Sequence, residues 1–123
     1  MRTTTPTVWR AWPTGVATLD LDGGIRLDTP AWFAWLAAPT TTSFSYPVDN
    51  PAQGYIEGFM TVRKERRARG DVYWTAYWHV RRRLRKVHLG RTQTLTDARL
   101  QDVAAALLVQ VLSAAPVGVT GDR

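Results

Sequence analysis

The sequence predicts an α+β domain: a three-stranded antiparallel sheet packed on a C-terminal helix, with an N-terminal β-hairpin and a short helix attached. Three observations support this class. Aromatic and β-branched residues fill positions 72–80, which is typical of a strand. Leucine, valine and alanine recur at helical spacing near the C-terminus. An Asp-Gly pair at positions 22 and 23 separates two apolar runs, a strong hairpin signal.

Turn and capping residues define the N-terminal elements. Gly15–Leu27 predicts a hairpin that turns at Asp22-Gly23-Gly24, because glycine tolerates the positive φ that such turns need. Thr29 is a good N-cap and Pro30 fits the first helical position, so we expect a helix of about two turns. On one face of this helix lie Trp32, Trp35 and Leu36.

Residues 40–58 are rich in Pro, Gly, Ser, Thr and Asn and predict a loop, within which only Ser43–Tyr46 has strand character. Three strands follow, and the short turns between them favour an antiparallel meander. We expect these strands at Phe59–Glu65, Val72–Val80 and Leu84–Leu89.

Residues 94–112 give the strongest helical pattern. Thr94 begins a capping-box-like segment and Asp97 suits the helix dipole, whereas Pro116 and Gly118 are expected to end the helix. The apolar stripe consists of Leu100, Val103, Ala104, Leu107, Leu108 and Val111. We therefore expect three segments in one compact unit: 1–58, a DNA-binding segment at 59–115, and a flexible tail at 116–123.

Positive charge is concentrated in one segment. Residues 63–91 hold eleven Arg or Lys and two acids, a net +9, whereas the rest of the chain is net −3. A basic, aromatic, strand-forming segment is a plausible nucleic-acid surface. The chain of 123 residues has no cysteine and no apolar run of membrane-spanning length. Its polar N-terminus predicts a cytoplasmic, nucleoid-associated protein.

Strand alternation divides the central strand between two faces. Trp74, Ala76, Trp78 and Val80 are expected to face the helix. Residues 73, 75, 77 and 79 are expected to face outward with Arg63, Lys86 and His88, so that basic turns flank an exposed sheet. The candidate nucleic-acid-binding residues are Arg63, Lys64, Arg66, Arg67, Arg69, Tyr73, Thr75, Tyr77, His79, Arg81, Arg82, Arg83, Arg85, Lys86, His88 and Arg91.

These residues suit a β-ribbon in the DNA major groove. Arginine forks can read guanine O6 and N7, while flanking basic turns hold phosphates. With about 6–10 phosphate contacts, affinity should fall roughly 10³–10⁵-fold between 50 and 200 mM salt. Catalysis is not expected, because the acids are scattered and no nucleophile–base pair stands out. Two histidines without cysteine or acid partners at ligand spacing do not indicate a metal, and no cofactor is expected.

The segment from Val87-His88-Leu89-Gly90-Arg91-Thr92 to Thr96-Asp97-Ala98-Arg99 resembles an element of plant ethylene-response-type DNA-binding domains. It is also similar to the arm-binding domains of tyrosine recombinases. In those families a three-stranded sheet backed by one helix lies in the major groove. The resemblance implies DNA-facing roles for outward strand positions, namely Arg63, Tyr77, His79 and His88.

A longer resemblance covers most of the chain. It runs through Ala31–Leu36, Ser43-Phe44-Ser45, Val62–Arg67, Gly70, Tyr73–Tyr77, Leu84-Arg85-Lys86, Leu89-Gly90-Arg91, Leu95-Thr96 and Arg99-Leu100. This order resembles the module that opens large LuxR-type transcriptional regulators of Chloroflexi and related bacteria. The resemblance implies a bacterial role in transcription. Since the ATPase, repeats and helix-turn-helix of those regulators do not follow, we expect a stand-alone copy.

Two alternatives to duplex DNA binding stay open. Tyr73 and Tyr77 could stack on unpaired bases of RNA or another single strand. The Trp-rich N-terminal half, with Trp9 and Trp12 beside the helix tryptophans, could instead bind a protein partner. A homodimer is a further option that the sequence does not decide. A membrane partner is not expected.

Overall fold

The computed structural model describes residues 5–11, 13–21, 23–50, 52–80 and 82–120, with side chains described as far as residue 112. This part of the chain is α+β, as predicted, with two antiparallel sheets and two α-helices. Trp12, Asp22 and Arg81 lie outside the described residues, as does the 121–123 part of the expected tail. In chain order the elements are β1 (Val8–Arg10), β2 (Ala17–Leu19), β3 (Ile25–Arg26), α1 (Pro30–Ala37), β4 (Ser43–Asn50), β5 (Tyr55–Arg66), β6 (Val72–Val80), β7 (Arg83–Gly90), a 3-10 helix (Thr92–Thr94) and α2 (Asp97–Thr120).

The larger sheet contains β4, β5, β6 and β7 in that order. The predicted three strands are therefore four. The strand character expected at Ser43–Tyr46 is confirmed as the first half of β4, but the predicted loop is wrong for the rest of β4 and for the start of β5. Pro47 and the polar composition suggested a loop, but β4 is at the edge of this sheet, where proline is tolerated. The buried alternation of Phe44, Tyr46 and Val48 is the signal that marks the strand. The expected boundary between the N-terminal segment (1–58) and the DNA-binding segment (59–115) falls inside β5.

The smaller sheet contains the predicted hairpin, β2 and β3, and adds β1 as a third strand. It joins the larger sheet through one bridge between Thr7 and Ser45. The helix α1 begins as predicted, because the Thr29 side chain accepts a hydrogen bond from the Trp32 backbone N–H at 3.3 Å. The helix α1 contacts β3 and the 3-10 helix, and its Trp32 packs on Phe44 of β4.

The helix α2 begins later and ends later than predicted. Thr94 does not cap it, since the Thr94 hydroxyl donates to the Arg91 carbonyl oxygen at 2.7 Å within the preceding turn. Thr96 takes the capping role and accepts from the Arg99 backbone N–H at 3.2 Å. The helix then continues through Pro116 to Thr120, although proline lacks the N–H for one helical hydrogen bond.

All six residues of the predicted helical stripe are buried, and α2 packs on one side of the larger sheet. We call this side the inner face and the opposite side the outer face. Trp74, Ala76 and Trp78 are buried on the inner face, as predicted. A Cβ at Gly58 would lie 3.2 Å from Trp78 Nε1, so the glycine makes room for this indole.

Two tryptophans fix the start of α2 against the rest of the core. Trp32 Nε1 donates to the Leu95 carbonyl oxygen at 2.8 Å, and Trp74 Nε1 donates to Thr92 Oγ1 at 3.0 Å. Their rings are linked through Phe44, whose centroid lies 5.2 Å from that of Trp32 and 5.9 Å from that of Trp74. This chain of aromatic contacts joins α1 to the inner face.

A polar cluster joins both sheets to α2. The Arg10 guanidinium forms a bidentate ion pair with Asp97 at 2.9 and 3.0 Å. Tyr46 donates its hydroxyl to Asp97 Oδ1 at 2.6 Å and accepts from Arg10 at 2.9 Å. Burial raises the pKa of Asp97, but the hydrogen bonds from Arg10 and Tyr46 outweigh it and leave this pKa below its ordinary value. The carboxylate therefore stays ionised and holds three elements together.

Candidate nucleic-acid interface

The outer face carries a mixed polar and aromatic surface that the register of the strands brings together. Arg63, Thr75 and His88 lie side by side across three strands, and Thr61, Tyr77 and Lys86 form the next row. Glu65 lies opposite Tyr73, and His79 lies opposite Leu84. The outer-face residues of β5, β6 and β7 discussed below are Thr61, Arg63, Glu65, Tyr73, Thr75, Tyr77, His79, Lys86 and His88.

Most of the predicted outward residues have the predicted orientation. Arg63, His79, Lys86 and His88 are exposed, and Tyr73 and Tyr77 are half-buried on the same face. Thr75 is different: it has no exposed surface, although the prediction placed it among the outward contacts. Its hydroxyl donates to Glu65 Oε1 at 2.8 Å, and neighbouring side chains cover it. Thr75 therefore supports the surface from below rather than forming part of it.

Two predicted contact residues lie on the inner face instead. Lys64 donates from Nζ to the Ala38 carbonyl oxygen at 2.9 Å and lies 5.5 Å from the Trp74 ring centroid. Burial and the nearby Arg66 lower the pKa of Lys64. Arg85 is paired in register with Trp78 and is half-buried. Since residues on one strand alternate between faces, the run of basic residues in the sequence is divided between two surfaces.

Further arginines lie at both ends of the outer face. Arg67 and Arg69 are exposed at the β5–β6 turn, with exposed Arg91 just after β7. Arg66, also a predicted contact, is exposed but ends β5 in the inner-face alternation of Val62 and Lys64. Arg82 is exposed at the opposite end, in the turn between β6 and β7, and exposed Arg83 begins β7 opposite Val80, in the inner-face alternation of Arg85. The nine residues of β6 separate the two ends by about 26 Å, at ~3.3 Å per residue. This span exceeds the ~12 Å width of the DNA major groove.

Arg82 adopts a backbone conformation that favours glycine. Its φ is +66°, in a two-residue turn between the paired residues Val80 and Arg83. Such turns prefer Gly or Asn, because a side chain with a Cβ is strained at positive φ. Backbone strain of this kind is often found at functional sites. This end of the outer face therefore carries an exposed arginine in a strained backbone conformation.

Tyr73 supports two of the turn arginines. The Arg67 guanidinium carbon lies 4.5 Å from the Tyr73 ring centroid, and that of Arg91 lies 5.4 Å from it. Cation–π contacts at these distances are attractive. Arg91 also donates to the Tyr73 hydroxyl at 3.4 Å. The ring thus brings two cations from different segments to one end of the outer face.

Glu65 is at the centre of a hydrogen-bonded network that sequence reasoning missed. Thr75 donates to one carboxylate oxygen and the Tyr77 hydroxyl donates to the other. Thr75 Oγ1 also lies 3.3 Å from His88 Nδ1. The hydrogen bonds from Tyr77 and Thr75 lower the pKa of Glu65, and the same Tyr77 bond raises the pKa of Tyr77. Strand alternation predicts that Glu65 points outward, but its contact with Tyr77 can be predicted only if the register between β5 and β6 is known.

An exposed apolar patch lies beside the basic surface. Trp9 is 50% exposed and its ring packs edge-on against Phe59, which is 38% exposed, at 5.5 Å. Tyr55 and Ile56 are exposed nearby in β5. The tryptophans of the N-terminal half therefore do not form one exposed surface, since Trp32 is in the core while Trp9 packs on β5.

In the part of the chain that the structure describes, no group of three or more His, Asp or Glu side chains is placed to hold a metal ion. No helix among these residues is long and apolar enough to cross a membrane. Comparison of the chain with protein-family models, curated proteins and solved structures gives no match. The geometry of the outer face is therefore the basis for a functional conclusion.

Proposed function

We propose that the chain binds double-stranded DNA through the outer face, with the sheet in the major groove and arginines on the phosphates. The observation that carries this proposal is the arrangement of cations at both ends of a surface about 26 Å long. Cations at both ends can reach the phosphates on either side of the groove while the middle of the sheet faces the base edges. A role in transcription or in a mobile element, with the chain at the nucleoid, follows from this activity.

The contacts that Tyr73 and Tyr77 already make favour duplex DNA over a single strand as the ligand. A base can stack only on a ring face that is free. Two guanidinium groups lie over the Tyr73 ring, and Arg63 lies 5.9 Å from the centroid of Tyr77 while Glu65 holds its hydroxyl. These rings position charged groups, which suits contacts with phosphates and base edges. Preference for single-stranded RNA remains the alternative that a direct comparison would detect.

The proposal is tested by fluorescence anisotropy of the nuclease-treated protein with random duplex DNA and with single-stranded RNA, from 50 to 300 mM salt. We expect duplex binding whose affinity falls steeply as salt rises, because each phosphate contact adds about 0.9 to the slope of log affinity against log salt. No duplex binding at 50 mM salt would contradict the proposal, and tighter binding to RNA would favour the single-strand alternative.

A pair of arginine variants locates the surface. Arg67→Ala should weaken binding to every duplex sequence and lower the salt slope by about one, if Arg67 meets one phosphate. Arg26→Ala is the matched control, because Arg26 is equally cationic and exposed but belongs to β3 of the smaller sheet. Equal losses for the two variants would indicate general charge attraction instead of an interface on the outer face.

The apolar patch favours a second candidate function, the binding of a protein partner. Exposed contiguous apolar residues often mark interaction sites, and Trp9 with Phe59 forms such a pair beside Tyr55 and Ile56. Analytical ultracentrifugation tests self-association, which should not weaken with salt if this patch drives it. Replacing Trp9 by Ser should abolish such association while leaving duplex binding intact.

A further inference from the structure

Glu65 is the one acid among the nine outer-face residues defined above. A carboxylate in a surface that meets phosphates would repel them. No Lys or Arg in the described part of the chain forms a salt bridge with Glu65. The acid therefore does not serve to neutralise a neighbouring arginine, and its place in a basic surface needs another explanation.

The Glu65 carboxylate is held in a fixed position by neutral donors. Thr75 and Tyr77 each donate to one oxygen, and a carboxylate has about four lone-pair sites. About two acceptor sites are left, and the half-buried side chain can present them to solvent. Since Thr75 and Tyr77 come from the neighbouring strand β6, the acceptor is fixed by the sheet itself. A rigid acceptor is suited to recognising a donor at a defined place.

We propose that Glu65 reads a cytosine in the major groove by accepting a hydrogen bond from its N4 amine. This inference rests on the proposed duplex binding. In the major groove the exocyclic amines of cytosine and adenine are the donors, and the adenine amine lies next to the N7 acceptor. A carboxylate has no donor for N7 and is repelled by it, whereas cytosine carries no acceptor of its own beside the amine in the major groove. Glu65 therefore selects cytosine.

Arg63 complements Glu65 on the same strand. It is exposed on the same face two residues earlier, which separates the two Cα atoms by about 7 Å. Successive base pairs are ~3.4 Å apart along the helix axis, so the two residues address bases within about two steps of each other. An arginine fork pairs with guanine O6 and N7. The preferred site thus contains a guanine and a cytosine close together.

The test is the selection of duplexes from a random library by the wild-type chain, Glu65→Gln and Arg26→Ala. The wild type and Arg26→Ala should enrich cytosine at one position, with about tenfold discrimination there. Glu65→Gln should lose this preference and turn toward adenine, whose N6 and N7 suit an amide, while the other positions keep theirs. If Glu65 only holds Tyr77 in place, Glu65→Gln and Tyr77→Phe would instead weaken binding to all sequences equally.

A change in the DNA avoids any effect on folding. Replacing the selected cytosine by 2-pyrimidinone, which lacks the N4 amine, should weaken wild-type binding about tenfold and leave binding by Glu65→Gln unchanged. Duplex binding without a cytosine preference, or an equal loss for both proteins, would overturn the role of Glu65 and leave duplex binding standing. Absence of any duplex binding would overturn the proposed function itself, and this inference with it.

Discussion

On the inner face of the larger sheet, on the side where α2 packs, Trp74, Ala76 and Trp78 are buried. On the outer face, Tyr73 and Tyr77 from the same strand stay half-buried and are held by charged partners. The inner residues are fixed by the area that they remove from water, which requires apolar character and suitable size. The outer residues are fixed by particular hydrogen bonds and cation–π contacts. We therefore expect the inner face to control stability and the outer face to control binding.

The largest effect is expected from Trp74→Ala. Its side chain has no exposed surface, packs on Phe44 and donates to Thr92. Truncation should lower the free energy of unfolding by about 3–5 kcal/mol, as measured by circular dichroism in denaturant. Tyr73→Ala is the control from the outer face and should cost about 1 kcal/mol. A stable Trp74→Ala protein that no longer binds duplex DNA would reverse the comparison and make Trp74 a contact residue.

A smaller loss of stability is expected from Asp97→Asn, where α2 meets both sheets. This change removes the charge that Arg10 pairs with and weakens the bond from Tyr46. Because both side chains of the ion pair are about one-fifth exposed, we expect a loss of about 1–3 kcal/mol. Denaturant unfolding at pH 7 measures it, and the outer-face variant Thr61→Ala serves as the control, with little expected change.

The pH dependence of stability gives an independent check on Asp97. Its pKa is lowered in the folded state, so the unfolded chain binds the proton more tightly. The stabilisation is fully present above the ordinary aspartate pKa of ~4 and is lost as the pH falls through the lower folded value. The difference in stability between wild type and Asp97→Asn should therefore shrink below about pH 4. A difference that stays constant down to pH 2 would exclude this carboxylate as the cause.

The inner face could be predicted from the sequence to a large extent. Alternation in 72–80 correctly assigned Trp74, Ala76 and Trp78, and helical spacing correctly assigned the buried stripe of α2. These patterns work because buried residues recur with the period of their element, about every second residue in a strand and every third or fourth residue in a helix. Only the first half of β4, Ser43–Tyr46, was anticipated, because Pro47 is compatible with an edge strand as well as with a loop.

The outer face could be predicted only in part. The outward orientation of its side chains followed from strand alternation, but their hydrogen-bond and cation–π partners did not. Contacts such as Tyr77 with Glu65 and Arg91 with Tyr73 join residues 12 and 18 positions apart. They depend on strand register and turn geometry, which the sequence specifies less directly than burial. Lys64 and Arg85 are a different case: strand alternation alone places them on the inner face, but their charge had assigned them to the binding surface with the rest of the basic segment.

The smallest effect is expected at Arg82, where the stability of the fold favours glycine but the proposed DNA binding favours arginine. Its φ of +66° is strained for a residue with a Cβ. Arg82→Gly should relieve this strain and raise the free energy of unfolding by about 0.5–1 kcal/mol, while duplex binding weakens through loss of one cation. Arg83→Gly is the matched control, because it removes the same charge from the next residue, which lies in β7; it should not stabilise the fold. If Arg82→Gly gains stability and keeps full affinity for duplex DNA, the strained arginine is not required for binding. If it gains stability and loses affinity, this end of the outer face keeps a strained residue because its charge contacts the DNA.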